Sequence, residues 1–340
     1  MGKYRHSKDE LELLLSLIRS HLCDSPVDDC TAGRLHRLNE TGWMSLLELA
    51  EMQTVSGLLY KAAEKFPGDV SGSEDVFMSL MTKVNRIVNR NVKLRNVESS
   101  VLGILSSVGC HPVIKKGSTC AARYPFPELR ESGDIDIYLP PEEFQKGREA
   151  VEASCGGGSE RPDSSVLITI YGCNVELHRM YYDLHAEVSC LPGVPGPEAE
   201  MVMLSSHILK HASGVGVGLR QVCDFALAYH GYQGDRNELK VLFRSIGLEK
   251  WHRLLLSFIQ EYIDPSVEVD KVSPRPLFRI ILRGGNFGHY ATSRSGSLER
   301  RPAARKADTA LRLLGRLPFA LRYAKNEALA SIKGLIKGNL

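Results

Sequence analysis

The sequence predicts an α+β chain of 340 residues, with a small sheet-and-helix core between two helical regions. Apolar residues recur at helical spacing up to about residue 108 and again after about residue 191. Between them the pattern switches to alternation, in Asp134-Ile135-Asp136-Ile137 and in Val175-Glu176-Leu177-His178. Glycine and proline gather at the joins. The expected division is a helical region over 1–108, the core over 109–190, and a helical domain with a basic tail over 191–340.

Taken in order, Leu11, Leu14, Leu15, Ile18 and Leu22 mark a first helix, with Asp9 as its expected cap. Two more helices follow around Trp43–Leu49 and Val55–Leu59, then a turn over 67–75. A long helix is expected over 76–108, stopped by Gly109. His111-Pro112-Val113-Ile114 reads as a short strand and 134–139 as another. Pro140-Pro141-Glu142-Glu143 opens a helix, because proline and acids are favoured in a first turn. That helix should end near Cys155, with a loop over 156–164. Residues 166–171 and 173–178 flank Gly172 as paired strands. Helical spacing returns over 198–212, 219–230, 236–246 and 249–263. Three prolines make 264–276 a loop, 284–302 is rich in glycine and serine, and the tail from about Ala303 is a basic amphipathic helix or pair of helices.

Composition excludes several classes. An apolar content of 43% is ordinary for a protein with a buried core. A net charge of +3 is too small to imply nucleic-acid binding by itself. The eight cysteines are scattered without a CxxC pair, which argues against a zinc ribbon or a dithiol redox site. The N-terminus turns charged at Lys8-Asp9-Glu10, where a secretory signal would be apolar. Reduced thiols in a cytoplasmic protein are therefore expected. No run of eighteen apolar residues occurs, so no transmembrane helix is expected.

The chemistry concentrates in residues 116–178. In an extended chain Asp134 and Asp136 share one face, about 7 Å apart, while Ile135 and Ile137 face a core. Crowded carboxylates repel unless a cation sits between them, and hard oxygen ligands suit Mg²⁺ or Mn²⁺ better than zinc. Glu176 and His178 share a polar face by the same alternation. With that strand beside the first, three carboxylates could hold two divalent ions about 4 Å apart, an arrangement suited to phosphoryl or nucleotidyl transfer. The plain alternative is a solvated acidic edge strand. Lys116-Gly117-Ser118 offers backbone N–H groups and a hydroxyl to phosphate, without forming a Walker A loop. Arg130 could pair with a phosphate or with a surface acid. Further on, His207 and His211 lie at i,i+4, but Ile208 replaces the glutamate a zinc protease needs. Arg220 and Asp224, also i,i+4, read as an ion pair fixing the helical domain against the core.

The order Lys-Gly-Ser, Tyr-Pro-x-Pro-x-Leu-Arg, Gly-Asp-Ile-Asp-Ile and Val-Glu-Leu-His, over about 113–178, resembles the polymerase-β-type nucleotidyltransferase superfamily. More closely, it is similar to poorly characterised bacterial nucleotidyltransferases. A weaker likeness runs from His207 to Asp224, and Gly285-Asn286-Phe287-Gly288 is also similar. The resemblance implies a mixed, twisted sheet, Mg²⁺ (or Mn²⁺) held by Asp134, Asp136 and Glu176, and an NTP triphosphate near Gly117 and Ser118. It also implies a lysine on the following helix reaching the triphosphate, for which Lys210 is the candidate. The implied reaction is attack by an acceptor on the NTP α-phosphate with release of pyrophosphate, and the superfamily's acceptors span small molecules, carbohydrates, proteins and RNA. Two other readings stay open: a non-catalytic nucleotide-binding module, and a toxin-like enzyme acting on tRNA or protein. The basic tail could contact an acidic partner.

Overall fold

The computed structural model describes residues 6–65, 74–161, 165–186, 188, 190–214, 216–285 and 315–336. The expectations for the 67–73 turn, for Asn286-Phe287-Gly288 and for the tail over 303–314 lie outside these residues.

Four helices open the chain: α1 (Lys8–Leu22), α2 (Asp29–Leu35), α3 (Glu40–Met52) and α4 (Ser56–Ala63). The cap of α1 is Ser7, not Asp9. Its side chain accepts from the Glu10 N–H, and the Glu10 carboxylate accepts from the Ser7 N–H. This reciprocal box satisfies two N-terminal donors at once and outcompetes a lone aspartate. The long helix α5 (Glu74–Ser107) follows, and Gly109 takes φ +72° just past its end.

Next come β1 (Val113–Ile114), the short α6 (Ser118–Ala121), a 3-10 turn at Pro127–Leu129, β2 (Ile135–Tyr138), α7 (Pro141–Cys155), β3 (Ser159–Glu160), β4 (Val166–Ile170) and β5 (Cys173–His178). The strand order is β1-β2-β5-β4-β3. Only β2 and β5 run parallel, and the other neighbours are antiparallel, so the sheet is mixed. Helices α8 (Pro197–Ser213), α9 (Leu219–His230), α10 (Arg236–Ser245), α11 (Glu249–Tyr262), α12 (Arg275–Gly284) and α13 (Lys325–Ile336) follow, and residues 315–323 are also helical. The architecture is α+β, with helices flanking the sheet. Helix α12 begins inside the stretch expected to be a loop. Pro276 sits in its first turn, where a missing N–H costs nothing.

Two apolar cores form. In the larger, the N-terminal helices pack with the C-terminal ones, from Leu11 and Trp43 to Trp251 and Ile281. The smaller one joins the inner sheet face, Ile135, Ile137, Val175 and Leu177, to Leu94–Leu105 of α5 and Phe144 of α7. Helix α5 enters both, with Val76 and Leu80 in the first core. At the junction, a Cβ on Gly57 would lie 2.1 Å from the Leu129 carbonyl oxygen, so α4 can approach the 3-10 turn only through a glycine. Among the described residues no helix is long and apolar enough to cross a membrane. All eight cysteines are free.

The larger core also buries His252, 4% exposed, stacked on Phe243 at 3.9 Å. Burial, helped by Lys240, lowers its pKa from 6.5 to about 3. The folded state therefore keeps this imidazole neutral, while the unfolded chain protonates it below 6.5. Its contribution to stability is complete above that value and falls as pH drops toward 3, by up to about 1.4 kcal/mol per pH unit. Replacing His252 with leucine should flatten the acid limb of urea-unfolding stability by one proton. An unchanged slope would contradict the assignment.

Candidate active site

The polar face of the sheet and the helices after it enclose a cleft of about 290 Å³. The sheet register builds its floor. Asp136 on β2 pairs directly with Glu176 on β5, and Tyr138 pairs with His178. Alternation sends Ile135, Ile137, Val175 and Leu177 into the core at 2% exposure or less, which leaves Asp136, Glu176 and His178 facing the cleft. Asp134 precedes β2 rather than lying within it, and it lines the same cleft. Helix α5 fixes the loop that delivers it. Asn91 Nδ2 donates to the Glu128 and Arg130 carbonyls, both at 2.8 Å, and Arg90 donates to the Gly133 carbonyl at 2.8 Å.

Asp136 is 4% exposed and has cationic or donor groups at both oxygens. Lys116 Nζ lies 3.3 Å from Oδ2, and His178 Nε2 lies 2.9 Å from Oδ1. Burial alone would raise its pKa, but Lys116 and His178 outweigh it and hold the carboxylate far below the usual range. The Asp136 charge, and then burial, raise Asp134. Burial and the two aspartates raise Glu176, although Arg161 Nη2 approaches it at 3.2 Å. Three acids are thus forced together, and nearby cations relieve the last two only in part. One Asp136 oxygen, one Glu176 oxygen and one His178 nitrogen lie within 4.8 Å of one another, close enough to ligate a single ion.

The opposite wall sets Lys210 and Arg220 among two imidazoles and the acids Asp183 and Asp224. Asp183, which no sequence pattern singled out, organises it. Lys210 Nζ lies 3.2 Å from one Asp183 oxygen and His207 Nδ1 lies 2.9 Å from the other. Burial opposes the Asp183 charge, but Lys115, His207 and Lys210 hold its pKa well below normal. His207 is pushed down to about 4 by burial and by Lys116, so it is neutral and donates to Asp183. His211 packs edge-on against it at 4.5 Å. Lys115 turns the other way, 1% exposed, and donates to the Met180 carbonyl. A signal for Asp183 is hard to find because it sits in an irregular loop, where no periodicity applies.

Of the residues singled out from sequence, Asp134, Asp136, Glu176, Lys116, Gly117, Arg130 and Lys210 all line this cleft. Ser118 does not. Its hydroxyl donates to Glu98 Oε1 at 2.6 Å, on the far side of the Gly117 turn. Gly117 itself takes φ +80° and ψ −111°, a conformation other residues adopt only under strain. Arg130 is 4% exposed, with its fork engaged by Asp224: Nε to Oδ1 and Nη2 to Oδ2, both 2.7 Å. Its Nη1 donates to Ser132 at 3.0 Å. The Asp224 ion pair therefore runs to Arg130 in the core module, not to Arg220 one turn away. Arg220 instead donates to the Glu131 carbonyl. The reason is geometric: a bidentate guanidinium–carboxylate pair outcompetes a single-contact pair along a helix.

Neither curated proteins nor solved structures gave a match to this chain. A family model does match: that of an uncharacterised nucleotidyltransferase, over residues 39–264, which takes in every cleft residue named above. With more than half of its length inside that match, the chain belongs to the uncharacterised nucleotidyltransferase family and is a nucleotidyltransferase.

Proposed function

We propose that the chain transfers a nucleoside monophosphate from an NTP to an acceptor, using divalent cations held by Asp134, Asp136 and Glu176. The observation that carries this is the register pairing of Asp136 with Glu176 at the floor of a cleft also lined by Lys116, Lys210 and Arg220. The donor set fits a hard divalent ion, since carboxylates dominate it and the Asp136 charge, together with burial, raises both Asp134 and Glu176. Bound cations would neutralise charge at the α-phosphate and acidify the acceptor hydroxyl.

The chain's own residues supply the rest. Gly117 lets the backbone approach the triphosphate without a side chain in the way. Lys116 and Lys210, now paired with Asp136 and Asp183, lie within the cleft and can turn to phosphate oxygens as these arrive. Burial of Lys116 is offset by Asp136, Asp183 and Asp134, which raise its pKa and keep it charged. Arg130 holds Asp224, and so the α9 wall, against the core. It contributes by positioning, with its donors already engaged. The cleft volume is near the lower end of the roughly 300–1,000 Å³ of ligand pockets, enough for a triphosphate and ions with the nucleoside toward the opening.

The test offers each α-phosphate-labelled NTP with Mg²⁺ or Mn²⁺ and a cell extract as acceptor source. Wild type should place label on an extract component and release pyrophosphate. Glu176→Gln should lose at least about 10²-fold in rate. Equal labelling by both proteins would remove Glu176 from the reaction.

A further inference from the structure

The tightest donor set in the cleft is not three carboxylates. It is Asp136, Glu176 and the His178 imidazole, and Asp134 is not among them. His178 is 9% exposed, and its Nε2 points into the acidic floor, 2.9 Å from Asp136 Oδ1 and 3.7 Å from Glu176 Oε2. The strands fix this placement. Glu176 and His178 alternate onto one face of β5, and the parallel register sets Asp136 beside Glu176. Nε2 thus meets both acids from one side, while Lys116 meets the second Asp136 oxygen.

Resting on the reading that this cleft takes a divalent cation, we propose that His178 is a direct ligand of that cation. The site would then be a mixed oxygen–nitrogen site that selects Mn²⁺, or a neighbouring first-row ion, over Mg²⁺. Mg²⁺ dehydrates reluctantly and keeps oxygen ligands. Imidazole favours first-row transition ions, whose affinities rise from Mn²⁺ onward. A floor of carboxylates alone would lack that discrimination. Ligation requires the Nε2 lone pair, so the ring proton resides on Nδ1 in the loaded site. With a cation held by Asp136, Glu176 and His178, Asp136 would no longer need Lys116 as its counter-ion, and the Lys116 ammonium could turn to the triphosphate.

The experiment is Mn²⁺ titration of the full chain, with and without NTP, followed by pulsed electron paramagnetic resonance of the bound ion. The expected result is a ¹⁴N coupling from a directly bound imidazole in wild type. That coupling should vanish in His178→Gln, with Mn²⁺ affinity down at least about tenfold and Mg²⁺ affinity, read by competition, little changed. The wild-type spectrum decides the question even where the variant folds poorly. Bound Mn²⁺ without nitrogen coupling overturns the proposal and leaves His178 as a donor orienting Asp136, with the cation reading intact. No Mn²⁺ binding under either condition overturns both.

Discussion

Asp136→Asn is expected to lower nucleotidyl transfer by at least about 10³-fold while leaving the chain folded. Asparagine keeps the shape and can still accept from His178, but it lacks the charge that a divalent cation and Lys116 both require. Two opposing effects on folding follow from the same substitution. Lys116 loses its nearest counter-ion, at 3.3 Å, which destabilises. Asp134 and Glu176 lose the neighbouring charge that raises them, which stabilises. Near-cancellation is expected, so activity should collapse while the urea midpoint moves little. Parallel loss of stability and activity would show that Asp136 serves the fold and not the reaction.

Asp224→Asn should act first on the fold, costing about 3–5 kcal/mol of stability. Asp224 and Arg130 are each 4% exposed and bonded through two 2.7 Å contacts, and the Tyr124 hydroxyl donates to Asp224 at 2.8 Å. Removing the charge leaves a guanidinium buried without an ionic partner. Burial opposes the Asp224 charge, but Arg130 more than compensates and lowers its pKa from 3.8. The pair therefore contributes fully above that value and is lost only as pH falls below it. Arg130→Met combined with Asp224→Leu should cost less than either single change, because it removes both charges at once. Urea unfolding of the four proteins measures this, and additive losses would contradict a coupled pair.

The strand segments were legible because one-sided burial writes a period of two into Asp134–Ile137 and Val175–His178. The carboxylates were legible for the same reason. What escaped has physical causes too. Strand β3 is two exposed residues, Ser159 and Glu160, with no face to bury and hence no pattern. Helix α12 was hidden by its own first-turn proline. Both the Arg130–Asp224 pair and the Asp183 anchor join residues far apart in sequence, so only the folded chain shows them. Ser118 follows the Gly117 turn, but the turn aims its hydroxyl at Glu98, and a tripeptide motif does not encode that direction.

The most direct measurement is anomalous scattering from Mn²⁺ in crystals grown with a non-hydrolysable NTP. A peak bounded by Asp136 and Glu176 is expected, with the triphosphate reaching it from the Gly117 turn. An ordered nucleotide elsewhere on the chain, or a metal peak away from those two carboxylates, would contradict it.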